Sequence, residues 1–246
     1  MADTLDILFE DNHCIAVAKP AGLLTQGPGD VPSLEAMVKA YLKEKYQKPG
    51  NVYLGIPHRL DRPVSGVILF ARNSKAANRL AEQFRDRQVT KIYWGVVEGS
   101  PEPSEGVWED WLRKVTDEAR AEKAEPNAEG AKLAVMRYRM LQTLTPNPSP
   151  RERGEHQATL VEFEPQTGRM HQIRLQAASR GHPLVGDALY GSTRNFGPAA
   201  ELPRDRIIAL HAHRLTFLHP LRYEAMTLTA PLPAAWQEIG INNVEP

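Results

Sequence analysis

In the stretch "PHRLDRPVSGVILFARN", residues 57–73, one carboxylate, Asp61, stands between two guanidiniums, Arg59 and Arg62, with His58 just before them. Ser65-Gly66 permits a tight turn, and the apolar run Val67–Phe70 reads as a buried strand, so Asp61 sits at the rim of a rigid element where a site can be built. Taken alone, an aspartate in such company is an N-cap or a surface ion-pair partner of Arg59 or Arg62, worth little to stability. His58, and His171 further along, are candidate ligands or acid–base groups, although single histidines beside backbone turns more often hold hydrogen bonds. His211 and His213 face one side of a strand and could pair on a metal, but no third ligand stands at a convincing spacing, and no zinc site is expected.

These residues need elements to hold them. "DILFEDNHCIAVAKPAGLLTQ" contains two β-rich runs, Ile7–Glu10 and Cys14–Ala18, around an Asp11-Asn12 turn, which predicts a hairpin ended by Pro20 and Gly22. After Ser33, a plausible N-cap, Leu34, Met37, Val38, Tyr41 and Leu42 recur at helical spacing. A second helix follows, capped by Ser74, with Ala77, Leu80, Ala81 and Phe84 as its buried stripe. "KIYWGVVEG" reads as a strand, and the charged, weakly periodic residues 108–131 as loop or hairpin excursions. Two strands, "LAVMRYRMLQTL" and "HQATLVEFEP", flank "TPNPSPRERGE", whose proline, serine and glycine mark an exposed, flexible insertion at 143–156. "TGRMHQIRLQAASRG" predicts a short helix with Gly181 at C′, and "IIALHAHRLTFLHP" a strand. The sum is an α+β fold, a mostly antiparallel mixed sheet with flanking helices.

Composition sets outer bounds. The chain has 246 residues, 41% of them apolar, enough for one large domain or two fused halves. Lysine plus arginine (30) equals aspartate plus glutamate (30), so a polyanionic partner would have to meet a local basic patch. The acidic start "MADTLDILFEDNH" is no signal peptide and no stretch is long enough to cross a bilayer, so the protein is expected to be soluble and cytoplasmic. The lone Cys14 can make neither an internal disulfide nor a cysteine zinc site, in keeping with a reducing compartment.

The Asp61 segment is not alone. "HRLDRPVSGVILFARN" resembles the signature of the RluA-type pseudouridine synthases: His-Arg-Leu-Asp, two variable residues, Thr-Ser-Gly and an apolar strand. Four more stretches are similar to that family in order: "IAVAKPAGLLTQ" with its Lys-Pro-x-Gly turn, "SKAANRLAEQFRDRQVTKIYWGVVEG" with its Lys-x-Tyr, "TGRMHQIRLQAASRGHPLVGDALYG" with its Gly-Arg-x-His-Gln-Ile-Arg, and "LHAHRLTFLHP". Together they are spread along the chain from Ile15 to Pro220. Val64 replaces the usual Thr and Gln176 stands where His is common, which could alter hydrogen bonds around Asp61 and Arg174.

The resemblance implies a pseudouridine synthase catalytic domain over residues 1–246, two-lobed with a cleft between the lobes, and without the S4 RNA-binding module that longer members carry. It implies isomerisation of uridine in transfer or ribosomal RNA, with no cofactor or metal, no DNA or membrane partner, and a monomeric enzyme. Asp61 becomes the catalytic residue: cleavage of the N1–C1′ bond builds positive charge on the ribose that a carboxylate can stabilise or capture, and the alternative is that it removes a ribose proton to give a glycal. Burial would tend to protonate that carboxylate, so it needs a cation, for which Arg174 is the candidate. Tyr93 stacks on the uracil, with its phenol near the C5 proton that must finally leave, and Arg59 enters the RNA where the uridine has left. Arg62, His58, Arg169 and His171 fall in the same blocks as substrate-binding candidates. Two other classes compete. An RNA-binding protein without catalysis is opposed by intact Asp61, Tyr93 and Arg174, and a glycoside hydrolase would need a second carboxylate that the matched blocks lack.

Overall fold

In the computed structural model residues 5–29, 31–144 and 157–241 are described; the tip of the expected insertion, residues 145–155, lies outside them. In chain order the described elements begin with β1 (Asp6–Glu10), β2 (Cys14–Lys19), α1 (Leu34–Lys45), β3 (Ser65–Ala71), α2 (Ser74–Arg85) and β4 (Thr90–Glu98). They continue with β5 (Glu105–Lys114), β6 (Ala121–Lys123), β7 (Lys132–Leu144), β8 (Ala158–Pro165), α3 (Gln172–Ala178), β9 (Leu210–Leu218) and β10 (Ala225–Thr229). The α+β expectation is met: the strand pairings within each unit below are antiparallel, and helices are few. The chain forms two compact units, Met1–Lys91 with Ala212–Pro233, and Ile92–His211 with Ala234–Pro246.

In the first unit the β1–β2 hairpin forms as its turn residues dictate. The Asp11 carboxylate accepts the N–H groups of His13 and Cys14, both at 2.8 Å, an Asx turn. β2 pairs with β3 from Cys14 opposite Ala71 to Lys19 opposite Gly66, and every residue of β3 is buried. Ser65-Gly66 is therefore the first part of a strand and not the expected turn. The turn lies just upstream, where Val64 N–H donates to the Asp61 carbonyl at 3.1 Å. Glycine is required at 66 for another reason: at φ 121° a Cβ there would stand 2.3 Å from the Ala212 carbonyl oxygen.

Helix α1 matches its sequence pattern, with the Ser33 hydroxyl accepting Ala36 N–H and Leu34, Val38 and Leu42 buried. Each such burial contributes about 1.5–3 kcal/mol. Helix α2 differs from expectation. Its cap is Asn73, whose side chain accepts Ala76 N–H at 2.9 Å, and its buried face is Ala76, Leu80 and Gln83, while Ala81 is exposed. Gln83 turns inward because its amide satisfies the backbone of Leu218 on both sides, donating to the carbonyl and accepting from the N–H at 2.9 Å each. A buried amide with both groups paired carries no desolvation penalty to push it out.

In the second unit the strands run in the order β4-β8-β7-β5-β6. Residues 108–131 supply β5 and β6, a hairpin on the edge of this sheet. Their weak periodicity has a physical source: Asp110 sits at an inward position of β5 between buried Trp108 and Leu112, where Arg180 (2.7 Å) and Lys123 (2.6 Å) neutralise it. Helix α3 ends in the Schellman pattern expected at Gly181 (φ 81°): His182 N–H donates to the Ala177 carbonyl and Gly181 N–H to that of Ala178.

Candidate active site

Asp61 is held through its neighbours. The Thr25 hydroxyl donates to the Leu60 carbonyl at 2.9 Å and accepts Leu60 N–H at 3.1 Å. On the other side, Gly22 N–H donates to the Arg62 carbonyl at 2.8 Å, and Arg62 Nε donates to the Gly22 carbonyl at 2.9 Å. Backbone on both flanks of Asp61 is thus tied to the 22–25 segment. Arg62 works within this loop, whereas Arg59 is exposed.

A cation that sequence reasoning missed lies under this loop. Lys19 is 1% exposed, and its Nζ donates to the carbonyls of Pro20 (2.9 Å), Leu23 (2.6 Å) and Arg62 (3.2 Å). Three carbonyls match the three protons of an ammonium. Burial pushes its pKa down to about 7, the charge of Asp61 pulls it up, and Arg62 lowers it again. Lys19 therefore faces the electrostatic field of Asp61 from inside the fold. Its signal was a lysine closing the continuous apolar run "IAVA", the pattern of a strand buried on both faces. Lys19→Met, which leaves three carbonyls without their donor, is expected to cost about 3 kcal/mol, read from the denaturant midpoint.

His58 is a structural support. Its Nε2 accepts Leu69 N–H at 2.9 Å, and its ring stacks on Phe84 at 4.6 Å. Burial, helped by the Lys91 charge, lowers its pKa to about 3. Unfolded histidine takes up its proton near pH 6.5, so between pH 6.5 and 3 the unfolded chain binds the extra proton. Stability is then fully present above pH 6.5 and declines on acidification. We expect His58→Gln to flatten that decline in thermal melts taken from pH 7 to pH 4.

In the second unit Tyr93 lies in β4 opposite Phe163 of β8, half buried. Arg174, buried in α3, donates from Nε to Asp187 Oδ2 at 2.6 Å and from Nη2 to Oδ1 at 2.7 Å. Its guanidinium stands 5.1 Å from the Tyr190 ring centroid. The Tyr190 hydroxyl lies 2.8 Å from His171 Nδ1 and accepts Ala121 N–H at 2.9 Å. His171, like His58, is held by local hydrogen bonding, and its φ of 51° sets the entry to α3. Arg169 Nε donates to the Leu133 carbonyl at 2.9 Å. Asp187 and Tyr190 were the partners not foreseen; both lie in "VGDALYG", within the block that carries Arg174.

Among the described residues one group of metal-capable side chains comes together, Asp11, Cys14 and His219, and it includes neither His211 nor His213. Its chemistry suits hydrogen bonding. Asp11 also meets Arg222 at 3.3 Å, and burial with the Asp11 charge pushes the Cys14 thiol up to about 12, far from the thiolate a metal requires.

Residues 13–179 match the family model described as RNA pseudouridylate synthase. The chain belongs to that family. Pseudouridine synthases are isomerases that convert uridine in RNA to pseudouridine. The chain is 34% identical to "tRNA pseudouridine synthase C" of Haemophilus influenzae over 96% of each chain. It is 35% identical to "Dual-specificity RNA pseudouridine synthase RluA" of the same organism over 92% of each, which makes this a synthase of the RluA type. The solved structure of human RNA pseudouridylate synthase domain containing 4 shares the fold, with a TM-score of 0.73 at 24% identity over 96% of this chain and 93% of that one. Both departures of this synthase from the signature are buried. Val64 is a buried apolar residue, and Gln176 Nε2 donates to Asp110 Oδ2 at 2.9 Å and the Trp108 carbonyl at 3.1 Å. Among the described residues no helix is long and apolar enough to cross a membrane.

Proposed function

We propose that this synthase modifies uridines in transfer or ribosomal RNA with Asp61 as the catalytic residue. The observation that carries the reading is the Asp61 loop: backbone fixed on both sides by residues 22–25, with the buried Lys19 charge beneath. A carboxylate so placed loses little freedom when a sugar binds against it, and preorganised charge is what a developing cation needs.

The reaction breaks the N1–C1′ bond, turns the uracil and joins C5 to C1′, after which the C5 proton leaves. No electrons are gained or lost. In this scheme Asp61 stabilises or captures C1′ as it becomes electron-poor. Tyr93 stacks on the base, a contact worth about 1–3 kcal/mol. Arg59, exposed beside Asp61, fills the space the extruded uridine leaves. The Arg174 cation keeps Asp61 ionised, while Arg62, His58, Arg169 and His171 keep their segments in place for the substrate. The two relatives named above act on tRNA or on more than one RNA by their names, which supports the substrate class. Residues 1–246 act as one catalytic domain, monomeric and cytoplasmic. Wild-type protein incubated with RNA carrying tritium at uridine C5 should release tritium to water in proportion to the pseudouridine formed. RNA that keeps all its tritium, across both tRNA and rRNA, would overturn the proposal.

A further inference from the structure

Several cations on the first unit are matched. Arg85 meets Asp86 at 3.2 Å, Arg72 meets Glu10 at 3.2 Å, and Lys45 meets Glu10 at 2.7 Å. Arg87 and Lys91 are not: among the described residues neither has a carboxylate within salt-bridge distance.

Arg87 also stands where arginine is a poor choice. Past α2, Gln88 N–H donates to the Gln83 carbonyl at 2.9 Å and Arg87 N–H to that of Phe84 at 3.4 Å, the bond pair of a Schellman stop with Arg87 at C′. Its φ is 59°, the left-handed region that favours glycine because a Cβ crowds the backbone there. The helix stop alone is served better by glycine, so the side chain needs its own reason. It is exposed to solvent.

Lys91, four residues on and two before Tyr93, is half buried at the start of β4. Burial and the nearby Arg87 charge both lower its pKa. Its field also acts on His58, which burial keeps neutral, so that ring adds no charge to the cluster. Two neighbouring cations, one held partly out of water and one in a disfavoured backbone state, are stabilised together by a single anion that accepts from both. A phosphodiester has two such oxygens and fits an arginine fork beside a lysine point charge.

We propose that Arg87 and Lys91 form a binding subsite for a backbone phosphate of the RNA substrate. The subsite rests on the RNA-modifying function proposed above. It accounts for affinity that the net charge of zero does not provide.

The test titrates a fluorescently labelled, unmodified tRNA transcript against the full chain over a series of salt concentrations, comparing wild type with Arg87→Gly, Lys91→Gln and, as a neighbouring control, Arg85→Gln. Arg87→Gly should melt no lower than wild type, since glycine suits the left-handed position, yet bind severalfold more weakly. Its log affinity against log salt should lose about 0.7–0.9 of slope, one phosphate contact. Lys91→Gln should lose the same, and Arg85→Gln should keep the wild-type slope. Wild-type slope in both Arg87→Gly and Lys91→Gln, or an equal loss in Arg85→Gln, overturns the subsite. Tritium release by wild type, run alongside, separates the two levels: if it occurs while the variants keep full slope, the subsite alone is wrong, and if wild type neither binds RNA in a salt-dependent way nor releases tritium, the function falls with it.

Discussion

Asp61→Asn is expected to bring tritium release down by at least about a thousandfold, to background, while RNA binding survives. Asparagine keeps the shape of the side chain and most of its hydrogen bonding but not its charge. The backbone contacts that fix the loop, from Thr25 to Leu60 and from Gly22 to Arg62, do not involve the carboxylate, so the variant should fold as wild type does. Binding should change little, since removing a negative charge near phosphates favours RNA. Lys19 loses the neighbour that raises its pKa, which gives a second readout: its proton should leave at lower pH in the variant. Equal loss of binding and turnover in folded protein would make Asp61 a residue that positions RNA.

Arg174→Met is expected to be the most destabilising of the substitutions considered, by about 3–5 kcal/mol, because it strands a buried charge. The Arg174 and Asp187 side chains are 6% and 1% exposed and share two hydrogen bonds, so Asp187 has no access to water when its partner is removed. Combining Arg174→Met with Asp187→Leu should recover most of that loss in denaturant melts, since an apolar pair of similar volume replaces a buried ion pair at small cost. Activity decides the rest. If the folded double variant releases tritium at the wild-type rate, Arg174 is a structural residue; if it remains inactive, the guanidinium serves the catalytic carboxylate as well.

Elements whose pattern comes from their own residues were legible in the sequence. The β1–β2 hairpin, α1 with its Ser33 cap, and the Gly181 stop of α3 follow from turn chemistry and periodicity that no distant contact overrides. What was misread depends on partners far along the chain. Gln83 looks like a surface residue until Leu218 offers it both backbone groups, and this moved the buried face of α2. Ser65-Gly66 looks like a turn until the Ala212 backbone explains why no Cβ fits. The same holds at the site. The signature made Asp61, Tyr93 and Arg174 visible by type and order, but Lys19 and Asp187 gain their roles only from what folding sets against them. Lys19 was not legible because it closes a buried strand, where a lysine is rare unless its ammonium is fully bonded, as it is here by three carbonyls.

The most direct test of the central claim is a map of pseudouridine in total RNA from cells with and without the gene, and from gene-deleted cells supplied with wild type or Asp61→Asn. At least one tRNA or rRNA position should lose pseudouridine on deletion, regain it with wild type and stay uridine with Asp61→Asn. A map unchanged by deletion would contradict the assignment of this activity, and restoration by Asp61→Asn would contradict the catalytic role of the aspartate.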